Sequence, residues 1–349
     1  MVFCRLTKLV LITLFLGQPF SAEAFHTPVH EEITTESLSF LKSDVLKRIV
    51  AANRGRDDWW LPWRKADKWH FNDCDFAGSS KNIREGYRSI LDKVEPRNGA
   101  SHYNCAAHVY GELLHTLQDF YAHSNWVELL QPGGGLCAVN SDTQPELLDD
   151  GYGNWPLLQP WSNVRGVVVV QGELDETPFA NDYRPERLEW CSDTKKAVVV
   201  TTDGQRRKGL VTGVLTYAYF LRFDNKCPMG IGALHSDRCG QGNELNKDNQ
   251  AQPNFLTARG LAIRQTKQEW CRLLSLVNER DPIDGVRRLF SAWVQDPSKA
   301  ASDCRKQPGF PVPPHAFPVN TEEKENDGLR SDLCGPVDDA YSKIFNGRK

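Results

Sequence analysis

Five ionisable side chains lie along one stretch of the chain, Asn104 to Leu130, with types and spacing that can bind a metal ion. At about 100° per residue, they fall within about 80° of one another on a helix. Apolar and aromatic residues cover the other directions of that helix, so its polar face is predicted to be buried. The five residues are His108, Glu112, His115, Asp119 and His123.

A buried stripe of this kind needs partners, because burying unpaired polar groups costs several kcal/mol each. Two interpretations supply them. The imidazole nitrogens and carboxylate oxygens can share a divalent ion such as zinc, or the histidines can hydrogen-bond to carboxylates in a polar seam between helices. A lone histidine favours the seam, but three histidines and two acids on one face favour the metal.

Two earlier segments carry further candidate ligands. The string "FHTPVHEEIT" begins at Phe25 and places His30 five residues later. If the chain is cut before Phe25, the freed α-amino group is itself a nitrogen ligand. The string "DDWWLPWRKADKWHFNDCDF" adds one histidine and several acids, which are Asp57, Asp58, Asp67, His70 and Asp73.

The N-terminal residues 1–24 have the pattern of a secretory signal peptide. Arg5 and Lys8 precede a short apolar run, and "AEA" at 22–24 is typical of a cleavage site. The sequence therefore predicts a secreted protein, extracellular or periplasmic, with no transmembrane segment in the mature chain. Nine of the ten cysteines would remain. They form no CxxC pair, which favours disulfides over a zinc knuckle.

The rest of the pattern predicts a mainly α protein. We expect a helical domain at 25–295 with a small β insertion at about 160–205, where "VRGVVVVQGEL" and "KKAVVVTTDG" are β-branched. A proline-rich tail is predicted at 296–349. The formal net charge of −3 argues against a nucleic-acid partner.

Four strings resemble the zinc-dependent phospholipase C superfamily, which also contains single-strand zinc nucleases. They are "LHTLQDFYAHSNWVEL", "HEEIT", "HFNDC" and "ELNKDN". The resemblance is closest to the bacterial phospholipase C and Het-C-like branch and covers roughly residues 25–270. It implies a multi-helix zinc phospholipase C-like domain.

The resemblance also implies a ligand set, which is Phe25, His30, His70, His115, Asp119 and His123. Asp119 would bridge two Zn²⁺ ions, and Asp57 or Asp58 would orient or deprotonate a water. His108 and Glu112 are outer-shell groups or alternative ligands. A third zinc is in question because no HxxxE or HxxxD motif follows His123. That third site is filled by His108 and Glu112, filled by His235, or absent.

The implied function is a secreted zinc-dependent phospholipase C. It would hydrolyse glycerophospholipids such as phosphatidylcholine, at a membrane surface, to diacylglycerol and a phosphorylated head group. A tryptophan cluster could hold choline or a lipid interface, or pack in the core; it is Trp59, Trp60, Trp63 and Trp69. The alternatives are an exported zinc nuclease and a non-catalytic Het-C-like interaction protein with one structural metal.

Overall fold

The computed structural model describes residues 25, 27–57, 67–71, 74–95, 100–130, 167–169, 187–191, 196–200, 204, 206–213, 245, 247–248 and 250–305. Predictions for the signal peptide, Asp58, Asp73, His235 and most of the tail lie outside these residues. Among the helices so described, none is long and apolar enough to cross a bilayer.

The described residues are mostly helical, which confirms the predicted mainly α class. The helices are α1 (Thr27–Ser37), α2 (Ser43–Arg54), α3 (Asp67–His70), α4 (Phe76–Lys93), α5 (Ala100–His123), α6 (Trp126–Leu130), α7 (Phe255–Arg280), α8 (Gly285–Trp293) and α9 (Pro297–Arg305). A 3-10 turn, Gly55–Asp57, continues α2.

Helix α5 is the centre of the domain. Helices α2, α4 and α7 pack along it, and its residues from Cys105 to Leu117 include many of the core side chains. Gly111 permits the closest of these contacts, because a Cβ there would lie 2.2 Å from the carbonyl oxygen of Ile49 on α2. The glycine thus lets the backbones of α2 and α5 approach each other.

Four short strands form one mixed sheet, ordered β1-β4-β3-β2. They are β1 (Val167–Val169), β2 (Arg187–Cys191), β3 (Lys196–Val200) and β4 (Arg206–Leu210). β1 pairs in parallel with β4, whereas β3 is antiparallel to both β2 and β4. β1 and β3 lie in the two β-branched runs that predicted a small β insertion, so that part of the fold class is also confirmed. β2 lies between the runs, and β4 extends beyond the predicted boundary at about residue 205.

The sheet is joined to the end of α5 through Asn125. Its side-chain oxygen accepts from the Val211 amide at 2.9 Å, and its side-chain nitrogen donates to the Gly209 carbonyl at 2.9 Å. The Asn125 amide also donates to the Val211 carbonyl. One asparagine therefore supplies hydrogen bonds that another strand would make, which attaches the insertion to the helical core.

Helix α7 closes the other side of α5 and is linked to α9 by a disulfide between Cys271 and Cys304. Cys74 and Cys105 are also disulfide-bonded. The division into a domain at 25–295 and a tail at 296–349 stays a prediction, although α9 already extends to Arg305.

Candidate metal centre

The site is built on the C-terminal half of α5, where His115 and Asp119 lie one turn apart. Residues four apart share one helix face, so both side chains point in the same direction. Both are fully buried. Because α2 approaches closely at Gly111, the end of α2 and the turn after it reach the same face and bring Asn53 and Asp57 to it.

Three donor atoms form a triangle at this point. His70 Nδ1 lies 2.6 Å from Asp119 Oδ2 and 3.1 Å from His115 Nε2, and His115 Nε2 lies 3.1 Å from Asp119 Oδ2. Ligands of a tetrahedral zinc with bonds of about 2.0–2.1 Å are separated by about 3.3 Å. The triangle is therefore only slightly smaller than a zinc site requires.

His70 is held in place by the residue that follows it. Phe71 has φ of 52°, in the left-handed region that non-glycine residues seldom adopt. Its ring is fully buried, with its centroid 5.4 Å from that of Phe120 on α5. This contact fixes the end of α3 against α5 and so fixes His70 beside Asp119.

The second oxygen of Asp119 faces a different histidine. Asp119 Oδ1 lies 3.0 Å from His30 Nε2, and both residues are fully buried. Within the described part of the chain, neither atom has a partner in hydrogen-bonding geometry. The His30 and His115 rings are 4.4 Å apart. Asp119 thus directs its two oxygens to two separate groups of nitrogen donors.

Asp57 supplies a further carboxylate at the end of the 3-10 turn. Its Oδ1 lies 3.5 Å from His115 Nε2. Two groups of donor atoms are close enough for a shared ion, namely His30 with Asp57 and His115, and His70 with His115 and Asp119. One imidazole nitrogen binds one ion, so His115 can serve only one of the two at a time. We call the five residues the histidine–aspartate cluster.

The electrostatics of the cluster favour a cation. Burial lowers the pKa of His115 to about 3, although the adjacent Asp119 carboxylate opposes that shift. Burial tends to raise the pKa of Asp119, but His115 and His30 hold it well below its usual range. Near neutral pH a neutral ring therefore faces an ionised carboxylate. Where the Nε2 atom of that ring carries no hydrogen, its lone pair faces the carboxylate, and a cation between the two relieves the repulsion.

His108 and Glu112, the predicted outer-shell or alternative ligands, make contacts one to two turns away on α5. Glu112 pairs with Arg56, and His108 Nε2 lies 3.3 Å from Glu112 Oε1. The Arg56 guanidinium also lies 3.7 Å over the ring of Trp69. Arg56 therefore connects α5 to the residues beside Asp57 and His70. Trp59, Trp60 and Trp63 lie outside the described residues.

His123 lies two turns beyond His115 and contacts a different acid. Its Nδ1 is 3.2 Å from the His70 carbonyl oxygen, and its Nε2 is 3.5 Å from Asp248 Oδ1. Burial lowers the pKa of His123 to about 4. The "ELNKDN" string thus reaches the end of α5, but among the described residues His123 is not part of either group of donor atoms that could share an ion.

Phe25 lies beside His30, although the chemistry predicted for its α-amino group is untested. The Phe25 ring is buried and meets the His30 ring edge-on, with centroids 5.7 Å apart. Residues 1–24 lie outside the described residues, so the cut before Phe25 and the amine ligand both stay predictions.

Four polar residues around the cluster were missed at the level of sequence. They are Thr34, Asn53, Gln118 and Thr266. Gln118 stands within "HTLQDFYAH" and Asn53 within "AANRGRDD", so both were next to predicted ligands. Their position beside predicted ligands could have indicated their role, because a buried side-chain amide requires hydrogen-bond partners.

The fold and the site together define a mainly α domain with a buried histidine–aspartate cluster whose donor atoms are close enough to share a metal ion. A family model described as the VWA7 N-terminal domain matches residues 22–144. The match takes in every residue of the cluster and ends before the sheet and α7. No curated protein and no solved structure matches the chain.

The resemblance to the zinc-dependent phospholipase C and nuclease superfamily is therefore wrong, and the functions drawn from it are wrong as well. The model that matches belongs to a different family. The physical reason is that "HTLQDFYAH" encodes ligand types at one-turn spacing on a helix. That spacing can produce a metal-type cluster in any helical domain, whereas the substrate depends on the walls around it.

Proposed function

We propose that this domain binds a divalent metal ion, Zn²⁺ in the first place, in the histidine–aspartate cluster. The observation that carries the proposal is the triangle of His70 Nδ1, His115 Nε2 and Asp119 Oδ2, with sides of 2.6–3.1 Å. Two imidazole nitrogens and one carboxylate oxygen are ligand types that suit zinc, and a water can take the fourth position of a tetrahedral site. Asp57 Oδ1, at 3.5 Å from His115 Nε2, lies beside this triangle and groups with His30 and His115.

The alternative of a polar seam without metal accounts less well for the contacts. In such a seam each buried acceptor meets a hydrogen donor. Here His30 Nε2 and Asp119 Oδ1 face each other at 3.0 Å without hydrogen-bonding geometry. A cation satisfies both atoms at once.

The ligand types favour zinc over calcium or magnesium, because imidazole nitrogens suit zinc and the hard cations prefer oxygen. A second Zn²⁺ is part of the proposal. His30 and Asp119 Oδ1 would hold it, with the α-amino group of Phe25 if the chain is cut at that residue. Asp119 would then bridge the two ions. Within the described parts of the chain, His108, Glu112 and His123 do not belong to a comparable group of donor atoms for a third ion.

We propose, second, that the bound metal assists a hydrolysis reaction. We assign no lipid or nucleic-acid substrate to it. A zinc ion supplies Lewis acidity and lowers the pKa of water. Asp57 is less buried than His115 and Asp119, and its carboxylate is the group placed to accept a proton. We expect Asp57→Asn to retain zinc but to lose turnover of a chromogenic phosphodiester. Equal turnover in Asp57→Asn and the parent protein would contradict this role.

The metal proposal is tested by elemental analysis and zinc titration. The purified full chain is stripped with a chelator and titrated with Zn²⁺ against a chromogenic competitor. We expect one or two tightly bound ions, and loss of tight binding in His115→Ala. The matched control is His102→Ala, a histidine on the same helix outside the cluster. The proposal fails if the parent protein binds no zinc, or if His115→Ala binds it equally well.

Export from the cell and binding to a phospholipid surface stay predictions from the sequence. N-terminal sequencing of the purified protein tests the first and would show whether Phe25 is the first residue. Sedimentation with phosphatidylcholine vesicles tests the second.

A further inference from the structure

The residues behind the histidine–aspartate cluster form a continuous chain of buried hydrogen bonds. It runs from α7 through α5 and α1 to α2, and it ends on two of the proposed ligands. The chain includes Thr266, Gln118, Thr34 and Asn53, and it reaches His30 and His115. Because each hydroxyl or amide atom has a fixed role as donor or acceptor, the chain determines where the ring hydrogens lie.

The chain begins at a backbone carbonyl, which can only accept. The Thr266 hydroxyl donates to the Ala262 carbonyl oxygen at 2.8 Å. Its single hydrogen is then engaged, so towards Gln118 the Thr266 oxygen must accept. The atom of Gln118 that lies 3.2 Å away is therefore the amide nitrogen. The same nitrogen donates to the Thr34 hydroxyl oxygen at 3.1 Å.

The orientation of Gln118 fixes the orientation of the next groups. Its oxygen faces the other way, 2.6 Å from His30 Nδ1 and 3.1 Å from the side-chain nitrogen of Asn53. An amide oxygen only accepts, so His30 Nδ1 carries a hydrogen. Asn53 presents its nitrogen to Gln118 and to Thr34, and this turns its oxygen towards His115 Nδ1 at 3.3 Å. His115 Nδ1 therefore also carries a hydrogen.

We propose that Gln118 and Asn53 are positioning residues that hold His30 and His115 in the Nδ1–H tautomer, leaving both Nε2 lone pairs free for a cation beside Asp119. This proposal rests on the proposed metal site. A neutral imidazole has one hydrogen, so a hydrogen on Nδ1 is what leaves Nε2 able to bind a metal. Thr266 anchors the whole arrangement although it lies far beyond the residues that the family model matches.

The first measurement reads the tautomers directly in the zinc-free full chain. Long-range ¹H–¹⁵N spectra of histidine-labelled protein distinguish Nδ1–H from Nε2–H rings. We expect Nδ1–H for both His30 and His115 in the parent protein. Gln118→Met keeps the length of the side chain but removes the acceptor, so we expect the His30 signal to leave the Nδ1–H pattern.

The second measurement is the zinc affinity of the same proteins. Changes to groups that orient a ligand weaken metal binding by about 10–100-fold, and we expect that loss in Gln118→Met. Gln265→Met is the matched control. Gln265 is an equally buried glutamine, but its amide contacts Tyr121 and Glu269. It should change neither the tautomers nor the affinity.

The outcomes separate this proposal from the metal site itself. Unchanged tautomers and unchanged affinity in Gln118→Met would overturn the positioning role while leaving the zinc site in place. Nδ1–H rings in a parent protein that binds no zinc would overturn the proposed function and support the hydrogen-bond chain. If Gln118→Met does not fold, Thr266→Val takes its place with Thr266→Ser as the conservative variant, and the same two measurements decide.

Discussion

Two buried polar clusters both include residues of helix α5, yet they differ in how well their hydrogen donors and acceptors are matched. The second, which we call the glutamate cluster, consists of Tyr87, Tyr121, Gln265, Glu269 and Arg272. The Glu269 carboxylate accepts from the Tyr87 hydroxyl and the Gln265 amide, and Arg272 Nε lies 3.2 Å from it. Tyr121 donates to the Gln265 oxygen at 2.8 Å. Here each acceptor meets a donor.

The histidine–aspartate cluster lacks that balance. The outer nitrogens of His30 and His115 are used by Gln118 and Asn53, and the inner nitrogens face Asp119. With the proposed Nδ1–H tautomers, the Nε2 lone pairs of His30 and His115 face the Asp119 oxygens at its centre. Burial and polarity alone therefore do not distinguish a metal site from a polar cluster. A metal site is indicated when buried nitrogen and oxygen lone pairs face one another with too few hydrogens to form hydrogen bonds, because a cation can then bind to them.

Removing the centre of the glutamate cluster should have the largest effect on stability. Glu269→Ala removes the carboxylate that accepts from Tyr87 and pairs with Arg272, and breaking a buried ion pair costs about 3–5 kcal/mol. We expect this loss in the free energy of unfolding, measured by urea denaturation. The zinc affinity of the folded protein should not change. A weakened zinc affinity in the folded variant would show that the two clusters are coupled.

Asp119→Asn should abolish tight zinc binding, with a loss of more than about 100-fold, because changing a ligand exceeds the effect of changing the groups that orient it. The physical reason is loss of the negative charge that faces both His30 and His115. Thermal denaturation provides a second check. Zinc should raise the melting temperature of the parent protein and of Glu269→Ala. An equal rise in Asp119→Asn would place the ion elsewhere.

Gly111→Ala should affect the histidine–aspartate cluster through the backbone. Its Cβ would meet the Ile49 carbonyl oxygen and the Ala52 side chain, so α2 must move away. Overpacking of this kind costs about 1–3 kcal/mol, and the movement displaces Asn53 and Asp57. We expect lower stability together with weaker zinc binding. Gly86→Ala on α4 is the control, because its Cβ would meet only the Leu113 side chain, at 3.2 Å.

Tyr121→Phe should produce the smallest change. It removes one hydroxyl that donates to Gln265 and leaves the ring in place. The expected loss in the free energy of unfolding is about 1–2 kcal/mol, the usual cost of one buried hydrogen bond whose acceptor stays behind. Zinc binding should be unaffected. A loss as large as that of Glu269→Ala would mean that the hydroxyl holds the whole glutamate cluster together.

Much of the fold followed from local patterns. The apolar period of α5 and the β-branched runs around residues 167 and 196 predicted the right element types, because helix and strand periods depend on nearby residues. The spacing of His115 and Asp119 likewise placed them on one face. The family resemblance was wrong because the same local spacing says nothing about the surfaces that surround a cluster.

Ligand types, their helical spacing and the mainly α class could be read from the order of residues, since each depends on contacts within a few turns. The meeting of His30, His70 and His115 around Asp119 depended on the packing of α1 and α3 against α5. The choice of ring tautomer depended on a hydroxyl on α7, 148 residues after Gln118. Each hydrogen bond fixes which group donates and which accepts in the next one. Hydrogen bonds between distant segments therefore determine which nitrogen of a histidine can bind a metal.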